Sequence, residues 1–590
     1  MVLLMACLSV FAAPPEPLVY FDLQACLAGL PNDSVLRYDV AKFVSSLQGV
    51  VNRERPRLAV RFLNGDSATG PVQLDDYWLG VMRQDWLKDR VVENEADLGR
   101  LIQRFRGDCV GVVLWDPKVL ATSNVAATIC GVESWLPVRA GSTFETLLRQ
   151  YWPDYPVKLS LVDRFDGHES GSVKCDAYLW AKRTYLDTGR CHPTLMAYFI
   201  DAYTQVPDQP GFNYHDLANA TLANHDYYIA QRAFFFDLGV WADEPSVDDP
   251  KQAPGTDRKT LMTLLKAQYE RNGGSGFTTV GGFIPWNLKY TNSGPAGGKH
   301  DPVATEWEYA AILSAHNAIM DADAIGLSCM TNASAWRFFP MQPRYKQNPK
   351  PEPQKLEEKI YVLIYMGDYD SAAWLSRHIP LVWDDPDRGS LPIAWAFNPN
   401  LCDRAPYVFD YVYRTKSKND WFIGGDSGAG YLNPTLLTGD RLGSGLPDAL
   451  DLWVKHNQAY YDRFDYRITG FVINGFHGDM PQRVQEAYAK FSPDGVGTCL
   501  GFAKPVVNGT PFLRVVSDIY PRLGRLDVTA KEMVASAKGD KPRFLIYRWI
   551  LQRPSTMKQV FELLKAQYAK EEWVFCDPYT FFDLYRRSLD

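Results

Sequence analysis

The sequence predicts an α/β protein built from several parts, and three features predict it. A β-α-β run opens the chain and a second run of helices around a buried strand follows it. From about residue 260 to the end, short apolar runs of strand length alternate with runs of helical period. Hydrophobic content is 46% over 590 residues, ample for burial but too long a chain for one core.

Taken in order, the chain begins with a short apolar run, Val2 to Ala13, followed by Pro14-Pro15-Glu16-Pro17. It reads as a secretory leader with a small-residue cleavage site, too short to span a membrane, so residues 1–17 are set apart and the mature chain is expected to be secreted or periplasmic. Leu18 to Leu23 reads as a strand, Asp39 to Val51 as an amphipathic helix and Arg57 to Phe62 as a second strand, which gives a small α/β domain over 18–90. A second α/β domain, 91–172, has helices at Leu98 to Phe105 and Phe144 to Tyr151 around a buried strand at Cys109 to Trp115. A third, helix-rich domain over 173–254 is expected from Tyr178 to Thr188, Thr194 to Tyr203 and Asp226 to Leu238. It ends in the polar, Pro-containing stretch Asp243 to Pro250, where the main boundary is placed.

Over 255–590 the candidate strands are Thr278 to Ile284, Ala324 to Met330, Ile360 to Met366, Pro392 to Phe397, Trp421 to Gly424, Ile468 to Ile473, Phe512 to Val516, Phe544 to Tyr547 and Trp573 to Cys576. Helices such as Glu308 to Asp321, Tyr369 to His378, Asp448 to Asp462, Pro481 to Phe491 and Met557 to Gln567 lie between them. About eight β-α repeats is the size and order of a (β/α)8 barrel, and an open doubly wound sheet has the same local pattern.

One stretch stands out. Asn419 to Ile423 reads as a buried strand and runs into Gly424-Gly425-Asp426-Ser427-Gly428-Ala429-Gly430-Tyr431-Leu432-Asn433-Pro434, where glycines let the backbone turn sharply around one carboxylate, one hydroxyl and one ring. Gly428 to Pro434 resembles the signature of the GxGYxYP glycoside hydrolase family, with Asn433 where the family has its second tyrosine. Leu47 to Arg53 with Arg55 to Leu58, Trp115-Asp116-Pro117 with Asn124-Val125-Ala126, Pro285-Trp286 with Lys289-Tyr290, Thr305 to Glu308 and Met366 to Asp370 are similar to it as well. The resemblance implies a barrel-like C-terminal domain and a carbohydrate substrate, and it favours the barrel over the open sheet.

In a parallel barrel the functional face lies at the carboxyl ends of the strands. The residues there are Trp286, Asn332, Asp368, Asp370, Asn398, Asp426, Asn474, Arg548 and Asp577, a set suited to sugar hydroxyls and to one apolar sugar face, although Asn and Asp also cap helices. If the strand continues to Asp370, plain alternation puts Asp368 and Asp370 on one face, about 6.5–7 Å apart, where like charges split their pKa values into an acid and a base. The competing reading makes one of them a helix N-cap. Asp426, two strands later, is the alternative partner of the pair or serves as nucleophile or stabiliser, and Glu306 beside Trp307 as a general acid, unless Thr305 and Glu308 simply form a capping box. Trp286, Lys289, Tyr290, Asn332, Tyr431 and Asn474 are the expected substrate-binding residues.

Other chemistries find little support. The net charge of −7 lacks the basic footprint of nucleic-acid binding. Ten cysteines show no Cys-x-x-Cys pair, and nine histidines show no metal-binding spacing. No Gly-x-Ser-x-Gly elbow or phosphate loop occurs, so neither metal nor cofactor is expected, and no membrane span follows the leader. The expectation is a secreted glycoside hydrolase acting on a polysaccharide or oligosaccharide through paired carboxylates. The alternative is a non-catalytic carbohydrate-binding protein on the same fold, with a lyase or transferase as a third reading.

Overall fold

The computed structural model describes residues 16–67, 70–200, 222–284, 290–293, 298–323, 330–474, 477–521 and 524–590. The expected leader, most of the strand expected at Ala324 to Met330, and both Trp286 and Lys289 lie outside the described residues. Among the described residues no helix is long and apolar enough to cross a membrane.

Three small parallel sheets precede a large one. In the first, β1 (Leu18–Asp22) is flanked by β2 (Leu58–Arg61) and β3 (Val92–Glu95). The helix Ser34–Val51 starts where the Asp33 carboxylate accepts the N–H groups of Val35 and Leu36, and fifteen of its residues are buried, so it is a core helix and not a surface one. The second sheet centres β4 (Gly111–Trp115) between β5 (Trp135–Arg139) and β6 (Val157–Ser160). The third contains β7 (Leu195–Tyr198), β8 (Phe234–Phe236), β9 (Thr278–Gly281) and β10 (Ala318–Asp321) in the order β8-β7-β9-β10, all parallel.

This third sheet corrects the sequence reading in three places. Thr194 to Tyr203, of which 201–203 lie outside the described residues, and Asp226 to Leu238 are expected to be helices, yet Leu195–Tyr198 is a strand, and the second run is helical only to Ala230 before Phe234–Phe236 forms a strand. Leu-Met-Ala-Tyr has good helix propensity, but all four residues are buried between neighbouring strands, and burial on both faces overrides propensity. The helix expected over Glu308 to Asp321 ends at Ala315, and its last four residues form β10. β9 and β10 therefore pair into this sheet, across the boundary expected near residue 254, and do not begin the barrel.

The large sheet contains β11 (Ile360–Tyr369), β12 (Ile393–Phe397), β13 (Asp420–Asp426), β14 (Ile468–Val472), β15 (Gly495–Thr498), β16 (Thr510–Arg514), β17 (Ser517–Ile519), β18 (Arg543–Ile550) and β19 (Trp573–Cys576). Their order is β16-β15-β14-β13-β12-β11-β18-β17, with β19 along the first half of β11 and Val506–Val507 antiparallel outside β16. The sheet curls into a half-barrel. Only Val515 and Val516 separate β16 from β17, and their N–H groups donate to Thr498 O and Ile546 O, on opposite flanks of the sheet. The concave side is tight. A Cβ on Gly470 would lie 2.4 Å from the Tyr365 ring, and one on Gly497 would lie 2.0 Å from Gly470 O, so side chains there would force the curl open.

A buried ion cluster ties the helix Val173–Ala181 to the segment around residues 237–257. Lys174 Nζ donates to Asp248 at 2.8 Å, Asp257 at 2.8 Å, Ser246 at 3.0 Å and the Tyr290 hydroxyl at 2.7 Å, and Tyr290 donates on to Asp237 at 2.9 Å. Burial opposes the lysine charge, but these aspartates outweigh it and hold the ammonium well above its usual range. Lys174→Met leaves buried carboxylates without their cation, so we expect a loss of about 3–5 kcal/mol in urea unfolding. An unchanged midpoint would show that the cluster is not what anchors this segment.

Candidate functional site

The site is built by a break in strand alternation. Along β11 the residues Leu363 and Tyr365 pack inside the curl, while Val362, Ile364 and Met366 pack outward. Met366 then opposes Trp395 and Tyr369 opposes Phe397, which sets three residues of β11 against two of β12, and Asp368 takes the left-handed conformation at φ 65°. This bulge hands the outward position to Tyr369, whose ring meets His378, Trp395 and Phe397, and turns Asp370 inward. Asp368 and Asp370 consequently do not form the paired acid and base expected from plain alternation. Neither is a helix cap, because Ser371 caps the helix Ala372–Val382 by accepting Trp374 N–H.

Asp370 instead meets Asp426. The two carboxyl groups share a hydrogen bond, and the Tyr365 hydroxyl donates to Asp426 Oδ1 at 3.4 Å. Asp426 ends β13, and the glycine-rich loop follows. Gly428 and Gly430 have φ of 118° and 124°, and a Cβ on Gly430 would lie 2.6 Å from the Ile319 side chain, so the loop docks on β10 only without side chains there. Ser427 is structural: its hydroxyl donates to Leu432 O at 2.6 Å and accepts Ile473 N–H at 3.1 Å.

Docking lets Tyr431 exchange backbone hydrogen bonds with Met320. It also aims the Tyr431 hydroxyl at Glu306 Oε1, 2.5 Å away. Glu306 lies on the helix Pro302–Ala315, whose N-cap is Asp301. The expected Thr305/Glu308 capping box is therefore absent; Thr305 receives the Trp241 indole N–H at 3.1 Å, and Glu308 pairs with Arg258. Tyr431 is buried and offers its hydroxyl to a carboxylate, so its ring does not cover a sugar face.

Arg548 of β18 provides the cation. It holds Asp518 of β17 through two bonds of 2.8 and 2.9 Å, stacks 4.6 Å over Phe471 and lies 3.8 Å from Asp368. Burial pushes the Glu306 carboxyl up to about 7, against the Tyr431 hydrogen bond and the Arg548 charge. Burial raises Asp426 to about 6, with Arg548 opposing. Asp370 rises well above the usual carboxylate range, first by burial and then by the charges of Asp426 and Asp368. Burial also raises Asp368, with Arg548 opposing. Asp370 thus carries the proton of its pair with Asp426. Asp368, Asp370 and Glu306 are half-buried and Asp426 is buried.

The remaining expected residues lie elsewhere or are committed. Tyr290 belongs to the Lys174 cluster. Asn332 accepts Gln48 and Val60 N–H groups and donates to Val60 O at 2.9 Å, fastening β2 rather than a ligand. Asn474 fixes the loop after β15 by donating to Gly501 O and accepting Leu500 N–H. Both amide atoms of Asn398, fully buried at the end of β12, lack a protein partner. Tyr365 and Asp518 are absent from the sequence reading: one is a tyrosine inside an apolar strand, and the other follows a strand read as ending at Val516. Among the described residues no cluster of three or more His, Cys, Asp or Glu side chains has the arrangement to hold a metal ion.

Residues 358–586, which span the curled sheet, match the family model of the GxGYxYP putative glycoside hydrolase C-terminal domain. Over these residues the chain is similar to the GxGYxYP family. The whole chain is similar in fold to the crystal structure of a putative hydrolase from Bacteroides thetaiotaomicron, with 15% identity, a TM-score of 0.68 and coverage of 98% of this chain and 96% of that one. No curated protein matches the sequence. Within the GxGYxYP region the signature loop supplies Asp426 and Tyr431, whereas Glu306 comes from outside the matched residues.

The raised acids fix the sign of a pH effect. A carboxyl whose folded pKa lies above its unfolded value contributes fully below about pH 4, and that contribution is lost as pH rises through the folded pKa. Asp370→Asn keeps an N–H for Asp426 and cannot ionise. Its melting temperature should equal the wild type near pH 4 and exceed it by about 2–4 °C near pH 8. Parallel melting curves at the two pH values would contradict the assignment.

Proposed function

We propose that the protein hydrolyses glycosidic bonds of a polysaccharide or oligosaccharide in this cleft. The observation that carries the reading is the convergence of Glu306, Asp370 and Asp426, from three separate segments, on half-open space with one shared proton. Glycoside hydrolysis needs one carboxylic acid to protonate the leaving oxygen and one carboxylate to stabilise or attack the anomeric carbon. Glu306, raised to about 7, is the acid; Asp426, at about 6, is the carboxylate. Asp370 donates to Asp426 and so orients it, and Arg548 with Asp368 balances the charge around the pair. The GxGYxYP match and the hydrolase-like fold agree with this chemistry.

Two further points complete the reading. The curled sheet serves as a modified (β/α)8 barrel whose strand ends carry the site. The apolar start of the chain directs the enzyme to the secretory route, where large glycans are met.

Reducing-sugar release from plant and host polysaccharides tests this in wild type, Glu306→Gln, Asp370→Asn and Asp426→Asn, each checked for folding. We expect losses of about a thousandfold in at least the Glu306 and Asp426 variants. The wild-type profile should be bell-shaped between about pH 6 and 7, and turnover by a good leaving-group substrate should lose its alkaline limb in Glu306→Gln. Glycan binding by every protein without release by any would establish the non-catalytic carbohydrate-binding alternative.

A further inference from the structure

A carbohydrate cleft generally needs an aromatic ring open to the sugar face, and the rings already placed here are closed. Tyr365 is fully buried and bonded to Asp426; Tyr431 is buried and bonded to Glu306. Phe471 is covered by the Arg548 guanidinium. The chain has 79 aromatic residues, from Trp 17, Tyr 32 and Phe 30, and among the described ones only Tyr520 is exposed, at 60%.

Tyr520 is not a stray surface ring. It follows β17 directly, and β17 is in register with β18 so that Asp518 stands opposite Arg548. Asp518 grips that arginine through two oxygens, Phe471 supports the flat guanidinium from one face, and the guanidinium lies near enough to the Tyr520 hydroxyl to act on it electrostatically. The same guanidinium reaches towards Asp368, whose charge is felt at Tyr520. A ring that directly follows a paired strand, beside an arginine fixed by Asp518, starts from restricted orientations, so less freedom is lost on binding. Its open face offers the apolar surface on which the C–H side of a pyranose packs, while its phenol edge remains polar.

We infer that Tyr520, with Arg548 and Asp518, forms a second sugar subsite at the rim of the cleft, stacking on a pyranose beside the one held at Asp370 and Asp426. This rests on the carbohydrate reading of the site and extends it to a substrate class. The ligand is a chain of at least two pyranoses with a flat apolar face, and a simple monosaccharide glycoside leaves the subsite empty.

The test measures binding of four hexasaccharides by titration calorimetry: β-1,4-linked glucose, xylose and mannose, and α-1,4-linked glucose. The protein is the full chain carrying Glu306→Gln to block turnover, alone and combined with Tyr520→Ala or Tyr520→Phe. For a hexasaccharide that binds, Tyr520→Ala should weaken affinity about tenfold, and Tyr520→Phe, which keeps the ring, less than about threefold. In the otherwise wild-type enzyme, Tyr520→Ala should raise KM for that hexasaccharide and leave turnover of a nitrophenyl monoglycoside unchanged. Unchanged hexasaccharide affinity in Tyr520→Ala, or an equal loss in Tyr520→Phe, overturns the subsite while leaving the hydrolytic reading intact. Ring-dependent binding with no sugar release by the wild type keeps the subsite and removes the hydrolytic reading. Failure of all four hexasaccharides to bind overturns the subsite together with the carbohydrate reading.

Discussion

Tyr431 joins the two halves of the site, and the rest depends on it. Its backbone pairs with Met320 of the third sheet, and its hydroxyl reaches Glu306 on the helix that precedes β10. Asp370 and Asp426 belong to the curled sheet; Glu306 does not. The glycines that precede Tyr431 permit this docking, because a side chain on Gly430 would collide with Ile319. A substitution there would separate carboxylates that no sequence-local interaction brings together.

Gathering like charges carries an electrostatic cost that the structure resolves in two ways. Arg548 neutralises the Asp368 side, where Asp518 completes a planar pairing. On the Asp370 side, burial keeps a proton on one carboxyl and hydrogen-bonds it to its neighbour, so the pair carries one negative charge. A set of carboxyls with separated proton affinities is what acid–base chemistry at a sugar requires, and here desolvation supplies most of the separation.

Much of the C-terminal region is legible in the sequence, because buried parallel strands read as apolar runs and the residues after them fall at one end of the sheet. That logic names Asp368, Asp370 and Asp426, Glu306 is named separately from its place beside Trp307, and the fold gathers all four in one place. It could not reveal the bulge in β11, since one extra residue leaves the apolar pattern intact while reversing which side chain faces inward. Short runs such as Leu195–Tyr198 and Ala318–Asp321 carry helix-forming residues and become strands only through pairing with partners far along the chain. Asn332 and Asn474 look like binding residues at strand ends, yet each amide satisfies backbone groups that the sequence does not expose. Tyr520 is one tyrosine among many until its exposure distinguishes it.

The claim on which the account turns is that Asp370 holds a proton at neutral pH and shares it with Asp426. Infrared difference spectroscopy of the wild type against Asp370→Asn, near pH 7, reads this directly through the C=O stretch of a protonated carboxyl. The account predicts a protonated-carboxyl band in the wild type that vanishes in the variant, with a shift in the Asp426 carboxylate band. A difference spectrum showing only the loss of an ionised carboxylate would contradict it.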